Sequence, residues 1–67
     1  MKYNVKFDKE ADGRWIAEIA DLSGVMAYGA TKEEAAAKVE ALALRVIAEK
    51  IELGEITSSF NISFVTL

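Results

Sequence analysis

The side chains of this sequence that could do chemistry are its carboxylates, hydroxyls and amines, because it contains neither histidine nor cysteine. The chain therefore lacks the commonest general base, the usual zinc ligands and a thiolate nucleophile. Metal-assisted hydrolysis would need carboxylates that converge from separate elements. The first predicted strand has only Asp8, at its end, and the segment 60–67 has no acid. We therefore expect no enzymatic activity, no bound metal and no cofactor.

Thr31 is the hydroxyl residue with the most informative surroundings, and they indicate a helix cap rather than a nucleophile. Its hydroxyl can accept a hydrogen bond from a free amide of the first turn, and Glu34 can reach back to complete a capping box. Gly54 supplies the left-handed position that ends many helices, so we predict one helix over residues 32–53. The glycines are scattered singly, so no phosphate-binding loop is expected. The residues interpreted as structural are Gly13, Gly24, Gly29, Thr31, Glu34 and Gly54.

The two apolar sides of the predicted helix have different uses. At about 100° per residue, the side that should lie on a sheet contains Ala35, Val39, Leu42, Ala43, Val46 and Leu53, with Ala36 and Ile47 at its margin. The opposite side contains Ala37, Ala41, Leu44, Ala48 and Ile51. Because Leu44 and Ile51 are large for an exposed face, we predict self-association through Leu44, Ala48 and Ile51 in a homodimer or larger oligomer. In the alternative, this side stays in water, which alanine tolerates.

Alternation of apolar and polar residues predicts four strands, at about 2–8, 14–20, 25–28 and 60–66. Asp12-Gly13 is a strong hairpin-turn signal between the first two. The first three strands should form an antiparallel meander, and the helix should return to a fourth strand parallel to the first. The predicted fold is one α+β domain over residues 1–67, with the element order β-β-β-α-β. It has a four-stranded mixed sheet of strand order 3-2-1-4 and one long helix on one face.

The two faces of this sheet should differ. Leu22 should fold back as a plug, and the residues predicted to face the helix are Tyr3, Val5, Phe7, Trp15, Ala17, Ile19, Val25, Ala27, Phe60, Ile62 and Phe64. The other face should carry Lys2, Asn4, Lys6, Arg14, Ile16, Glu18, Met26, Tyr28, Asn61 and Ser63. Aromatic and methionine side chains are enriched in interface cores, so we predict a partner-binding surface at Ile16, Glu18, Met26 and Tyr28. The alternative is the solvated face of an antiparallel sheet.

The overall charge and the hydropathy pattern limit the class of partner. Eight basic and eleven acidic side chains give a net charge of −3. A free-standing nucleic-acid binder is usually basic, because phosphate neutralisation supplies most of its affinity. No apolar run approaches the length of a membrane span, and the first twenty residues alternate with charges rather than forming a signal peptide. We expect a cytoplasmic protein without membrane contact.

Three segments, in this order and spacing, resemble the N-terminal domain of HicB-family antitoxins. They are Asp12-Gly13-Arg14-Trp15-Ile16-Ala17-Glu18-Ile19, then Asp21-Leu22-Ser23-Gly24, then Gly29-Ala30-Thr31-Lys32-Glu33-Glu34-Ala35. The tail, from Ala41 to Phe64, is similar to that of the short members, so the resemblance covers nearly the whole chain. Ser23 stands where the family usually has proline. The sequence also stops after the fourth strand, without the DNA-binding domain of many members, so we do not expect direct DNA binding.

The resemblance implies a partial ribonuclease H-like sheet that serves as an antitoxin. Such a protein holds HicA, a small basic RNA-cleaving toxin, inactive by covering its RNA-binding and catalytic surface. An acidic protein suits a basic partner, because charge complementarity speeds encounter. Two alternatives remain: an orphan module of the same fold with another partner, and a sheet that binds RNA through Lys2, Lys6, Arg14 and Tyr28.

Overall fold

The computed structural model describes residues 2–56 and 62–66 of the chain. Its elements are β1 (Lys2–Lys9), β2 (Trp15–Glu18), β3 (Met26–Gly29), α1 (Lys32–Glu52) and β4 (Ser63–Thr66). The strands form one sheet in the order β3-β2-β1-β4. β2 is antiparallel to both β1 and β3, whereas β4 is parallel to β1. The predicted α+β architecture, its strand order and its single long helix are confirmed.

The strand bounds differ from the predicted ones around the second turn. β2 ends at Glu18 rather than at residue 20, and β3 begins at Met26 rather than at residue 25. The reason is a tight turn, in which the Leu22 amide donates to the Ile19 carbonyl at 3.0 Å and the Val25 amide donates to the Leu22 carbonyl at 3.2 Å. The Leu22 side chain is buried, as predicted for a plug. Residues 60 and 61 of the predicted fourth strand lie outside the described residues.

Both ends of α1 are capped by the residues that the sequence indicates. The Thr31 hydroxyl accepts a hydrogen bond from the Glu34 amide at 3.1 Å, as predicted. The predicted return bond from the Glu34 carboxylate to the Thr31 amide is wrong, because that carboxylate pairs instead with Lys38 Nζ at 2.9 Å. At the other end, Gly54 has φ of 74°, and its amide donates to the Ile51 carbonyl. The amide of Glu55 donates to the Lys50 carbonyl, which completes a Schellman motif. The helix therefore ends one residue earlier than predicted, at Glu52.

The buried stripe of α1 is rotated relative to the predicted one. Its buried residues recur every four positions, at Ala35, Val39, Ala43 and Ile47. Ile47, which was placed at the margin, is 2% exposed and belongs to the centre of the core. Leu53 was wrongly assigned to the stripe: it is the C-cap, beyond the last turn, and is 65% exposed.

The helix lies mainly over β3 and β2, and its first turn approaches the end of β3 closely. A Cβ atom added to Gly29 would collide with the backbone nitrogen of Ala35. The φ of Gly29 is not positive, so the constraint here is space rather than backbone conformation. This contact explains why a glycine precedes the helix.

The core lies between α1 and the inner face of the sheet. Its buried members from the sheet and the second turn are Tyr3, Val5, Ala17, Ile19, Leu22 and Val25. The rings of Tyr3 and Phe64 stand 6.1 Å apart between their centroids, so β4 joins the core through this pair. Phe7, Trp15, Ala27 and Ile62 are half-buried around the core, as the alternation predicts for inward positions. Phe60 lies outside the described residues.

Candidate protein-binding surface

The four residues predicted to bind a partner meet in one patch on the outer face of the sheet. Ile16 on β2 is the cross-strand partner of Tyr28 on β3, and Glu18 is the partner of Met26. Met26 is 43% exposed and Tyr28 is 41% exposed, while Ile16 and Glu18 are half-exposed between them and β1. We call these four residues the open-face patch. It combines the large side chains of Met26 and Tyr28, the aliphatic side chain of Ile16 and the carboxylate of Glu18 on two paired strands.

Arg14 and Asp12 border the open-face patch, where Arg14 contacts the Tyr28 ring and Asp12 holds Arg14. The Arg14 guanidinium lies over the Tyr28 ring, with 4.6 Å between Cζ and the ring centroid, which is a cation–π geometry. Its Nε donates to Asp12 Oδ2 at 2.8 Å, and the Arg14 amide donates to Asp12 Oδ1 at 3.0 Å. These bonds, the amide bond first, hold the pKa of Asp12 below its ordinary value. Sequence reasoning missed this cation–π contact, although it placed Arg14 and Tyr28 on the same face of the sheet.

The outer face continues across β1 with side chains of both signs. Lys6 is the cross-strand partner of Glu18, and opposite charges at such positions stabilise a sheet modestly. Asp8 is the partner of Ile16 in the same register. On the other side of β1, Val65 faces Asn4 and is 40% exposed. Val65 was not among the predicted contact residues, although its alternation with Phe64 already places it on this face.

The three residues predicted for self-association do not share one surface. Leu44 is 48% exposed and Ala48 is exposed on the outer side of α1. Ile51, however, is half-buried and packs against the core, because the buried stripe is centred closer to it than predicted. The outer side of the helix therefore presents Leu44 among alanines, which is a smaller apolar surface than the sequence suggested.

Two further cations lie over aromatic rings at one edge of the inner face of the sheet. Lys9 Nζ is 5.8 Å from the Trp15 ring centroid, and Lys32 Nζ is 4.9 Å from that of Phe7. Their ammonium groups and methylene stems extend over rings that α1 leaves half-buried. This edge is consequently less apolar than the two aromatic residues alone would make it.

The described residues present an open surface without an enclosed site. They enclose no pocket, contain no group of three acidic residues placed to hold a metal ion, and bury no charged side chain. Within the same ranges, α1 included, no helix has the length and apolar character that crossing a membrane requires. Comparison with protein-family models, curated proteins and solved structures found no match for this chain. Fold and surface together define a small α+β module with an open sheet face.

Proposed function

We propose that this chain is a HicB-like antitoxin that binds a small basic RNA-cleaving toxin of the HicA type. It would act in the cytoplasm without chemistry of its own, by covering the surface on which the toxin binds and cuts RNA. The observation that carries the proposal is the open-face patch, in which Met26, Tyr28 and Ile16 adjoin one carboxylate. The resemblance to HicB antitoxins supplies the class of partner.

The composition of the patch supports protein binding. Tyrosine, methionine and arginine are enriched in interface cores, and all three adjoin here because Arg14 lies on Tyr28. That contact holds the Tyr28 ring in place, which lowers the entropy lost when a partner packs on it. Glu18 adds an acidic group that can meet a basic side chain of the toxin.

The motifs that resemble the family also have structural positions that suit a rigid binding module. Gly13 and Gly24 occupy turns with positive φ, and Gly29 makes room for the first turn of α1. Thr31 caps that turn. A surface held on hydrogen-bonded strands loses little freedom on binding, so inhibition by simple occlusion needs no rearrangement of this chain.

Co-expression tests the proposal, using a HicA-type toxin encoded beside this chain. We expect the wild-type chain to restore growth and to co-purify with the toxin. Met26→Arg and Glu18→Lys should each weaken binding, by about 30-fold if the residue is a hot spot worth about 2 kcal/mol. Leu44→Arg, on the outer side of α1, is the matched control and should leave binding unchanged. The proposal fails if toxicity persists with no complex, or if only the control variant loses binding.

The RNA-binding alternative has less support from the geometry. Arg14 is already paired with Asp12, and its guanidinium lies on the Tyr28 ring that a base would need for stacking. Lys2 and Lys6 remain, with Glu18 beside Lys6. Titration with single-stranded RNA at low and high salt separates the two functions, since phosphate binding weakens steeply with salt. The orphan-module alternative is favoured instead if no small basic protein is encoded nearby.

A further inference from the structure

β3 lies at one edge of the sheet, and its register shows which backbone groups face outward. The Ile19 amide donates to the Val25 carbonyl at 3.0 Å, which is one of the two bonds of a hydrogen-bonded pair, while the Val25 amide donates to Leu22 in the turn. Such pairs alternate with non-hydrogen-bonded ones along an antiparallel ladder. With Ala17 opposite Ala27, the inward-facing backbone groups of β3 belong to Ala27 and Gly29. The N–H and C=O groups of Met26 and Tyr28 therefore point away from the sheet.

Within the described ranges, no hydrogen bond covers this edge. The backbone groups of Met26 and Tyr28 make no hydrogen bond to a loop, a turn or a side chain there. Proteins usually guard open edges with charged residues, proline or bulges. β3 has the sequence Met-Ala-Tyr-Gly, which contains neither charge nor proline.

The outward groups of β3 are complementary to themselves. If a second copy pairs antiparallel about a two-fold axis at Ala27, Met26 of each copy lies opposite Tyr28 of the other. Both residues present N–H and C=O outward, so each such pair exchanges both of its hydrogen bonds, and the symmetry axis repeats the pair. Ala27 then lies opposite its own copy in the non-hydrogen-bonded position, where strands come closest and a small side chain fits.

The side chains favour the same register. The Met26 thioether of one copy would lie beside the Tyr28 ring of the other, which is a favourable sulfur–aromatic contact. Arg14 lies over Tyr28, and Glu18 is the cross-strand partner of Met26. Arg14 of each copy is consequently brought toward Glu18 of the other, so opposite charges meet across the interface on both sides of the axis.

We infer that this chain forms a symmetric homodimer by antiparallel pairing of β3 with β3 of a second copy. The interface joins both sheets into one and places both open-face patches side by side on the same face. The dimer does not depend on the proposed function, because no toxin residue takes part in it. It also assigns self-association to the sheet edge, whereas the sequence alone favours the outer side of α1.

Light scattering on the purified chain, over a dilution series without toxin, tests the inference. We expect a mass twice the 7.3 kDa of one chain, falling toward 7.3 kDa on dilution. The double variant Met26→Lys with Tyr28→Lys, and the double variant Met26→Glu with Tyr28→Glu, should each be monomeric, because like charges then face each other across the axis. An equimolar mixture of the two should recover the dimer mass, since opposite charges face each other instead.

Two single variants separate the edge from other contacts. Met26→Pro removes an outward N–H without touching the ladder to β2, so it should give a folded monomer by circular dichroism. Leu44→Glu, on α1, should remain dimeric. A wild-type chain that is monomeric throughout, a charge mixture that stays monomeric, or a dimer broken only by Leu44→Glu would each overturn the inference. Because no toxin is present, none of these results bears on the antitoxin proposal.

Discussion

The two faces of the sheet are built from the same strands but have opposite roles. On the inner face, Val5 and Ala17 belong to the buried core, in which no charged side chain of the described residues is buried. On the outer face, the neighbouring positions Glu18, Met26 and Tyr28 remain accessible. The alternation of the strands separates the residues that determine the fold from those to which the proposed function assigns binding. Substitutions on one face should therefore change stability, and substitutions on the other should change association.

The helix shows the same contrast between buried and exposed side chains within a single turn. Ile47 is fully packed among the residues of the core, whereas Leu44, three positions earlier, lies on the outer side. The two side chains have similar size, so they form a matched pair for measuring what burial contributes. The comparison between faces is sharpest here, because helix propensity and backbone geometry are shared.

Ile47→Ala is expected to cause the largest loss of stability. Removal of a buried aliphatic side chain costs about 2–5 kcal/mol, through lost transfer free energy and the cavity left behind. Leu44→Ala should change the free energy of unfolding by less than about 0.5 kcal/mol, since Leu44 does not pack against the core and alanine favours helix. Urea denaturation of both variants checks the pair. Equal losses would show that the outer side of α1 is covered in solution.

Gly29→Ala tests the closest approach between the helix and the inner face. The added methyl group collides with the backbone of Ala35, so α1 must move, at a cost of about 1–3 kcal/mol. Gly24→Asn is the control: its position has open space and φ of 76°, which asparagine adopts more readily than most residues. Thermal unfolding should show the larger decrease in melting temperature for Gly29→Ala. A smaller decrease than for Gly24→Asn would contradict the spatial explanation.

The sequence was sufficient for the order of elements but not for the rotation of the helix or the details of the outer face. Strand alternation, the Thr31 cap and Gly54 each act locally, so they could be recognised one at a time. The burial of Ile47 depends on the rotation of α1 over β3. The close approach of α1 to Gly29 constrains that rotation. The stacking of Arg14 on Tyr28 depends on the conformation of the hairpin turn, where Asp12 holds Arg14. Such contacts between elements leave no periodic signal.

Thr31→Ala, at the start of α1, should lower the free energy of unfolding less than the core substitutions above. It removes the hydroxyl that accepts from the Glu34 amide, and loss of such a cap costs about 1 kcal/mol. Thr31→Ser keeps the acceptor and should retain most of the stability. Ser23→Ala, in an exposed turn, should be close to neutral. Chemical denaturation of the three variants would contradict the cap if Thr31→Ser lost as much stability as Thr31→Ala.

The smallest effect is expected on the exposed hairpin beside the open-face patch. The pKa of Asp12 is lowered first by the hydrogen bond from the Arg14 amide, and then by the Arg14 side chain. A lowered pKa in the folded state means that the carboxylate contributes stability above the ordinary aspartate pKa of about 3.9, and that this is lost as the pH falls through the lowered value. The stability difference between wild type and Asp12→Ala should therefore shrink below about pH 4.

The variant Arg14→Gln separates the two causes of that shift. It removes the guanidinium but keeps the backbone amide, so the pKa of Asp12 should rise only part of the way to its ordinary value. Titration of the Asp12 carboxyl by nuclear magnetic resonance measures this directly. A full return to the ordinary value in Arg14→Gln would show that the ion pair, and not the turn backbone, holds Asp12. In that case the position of Arg14 over Tyr28 would depend on a surface contact that salt weakens, rather than on the hairpin itself.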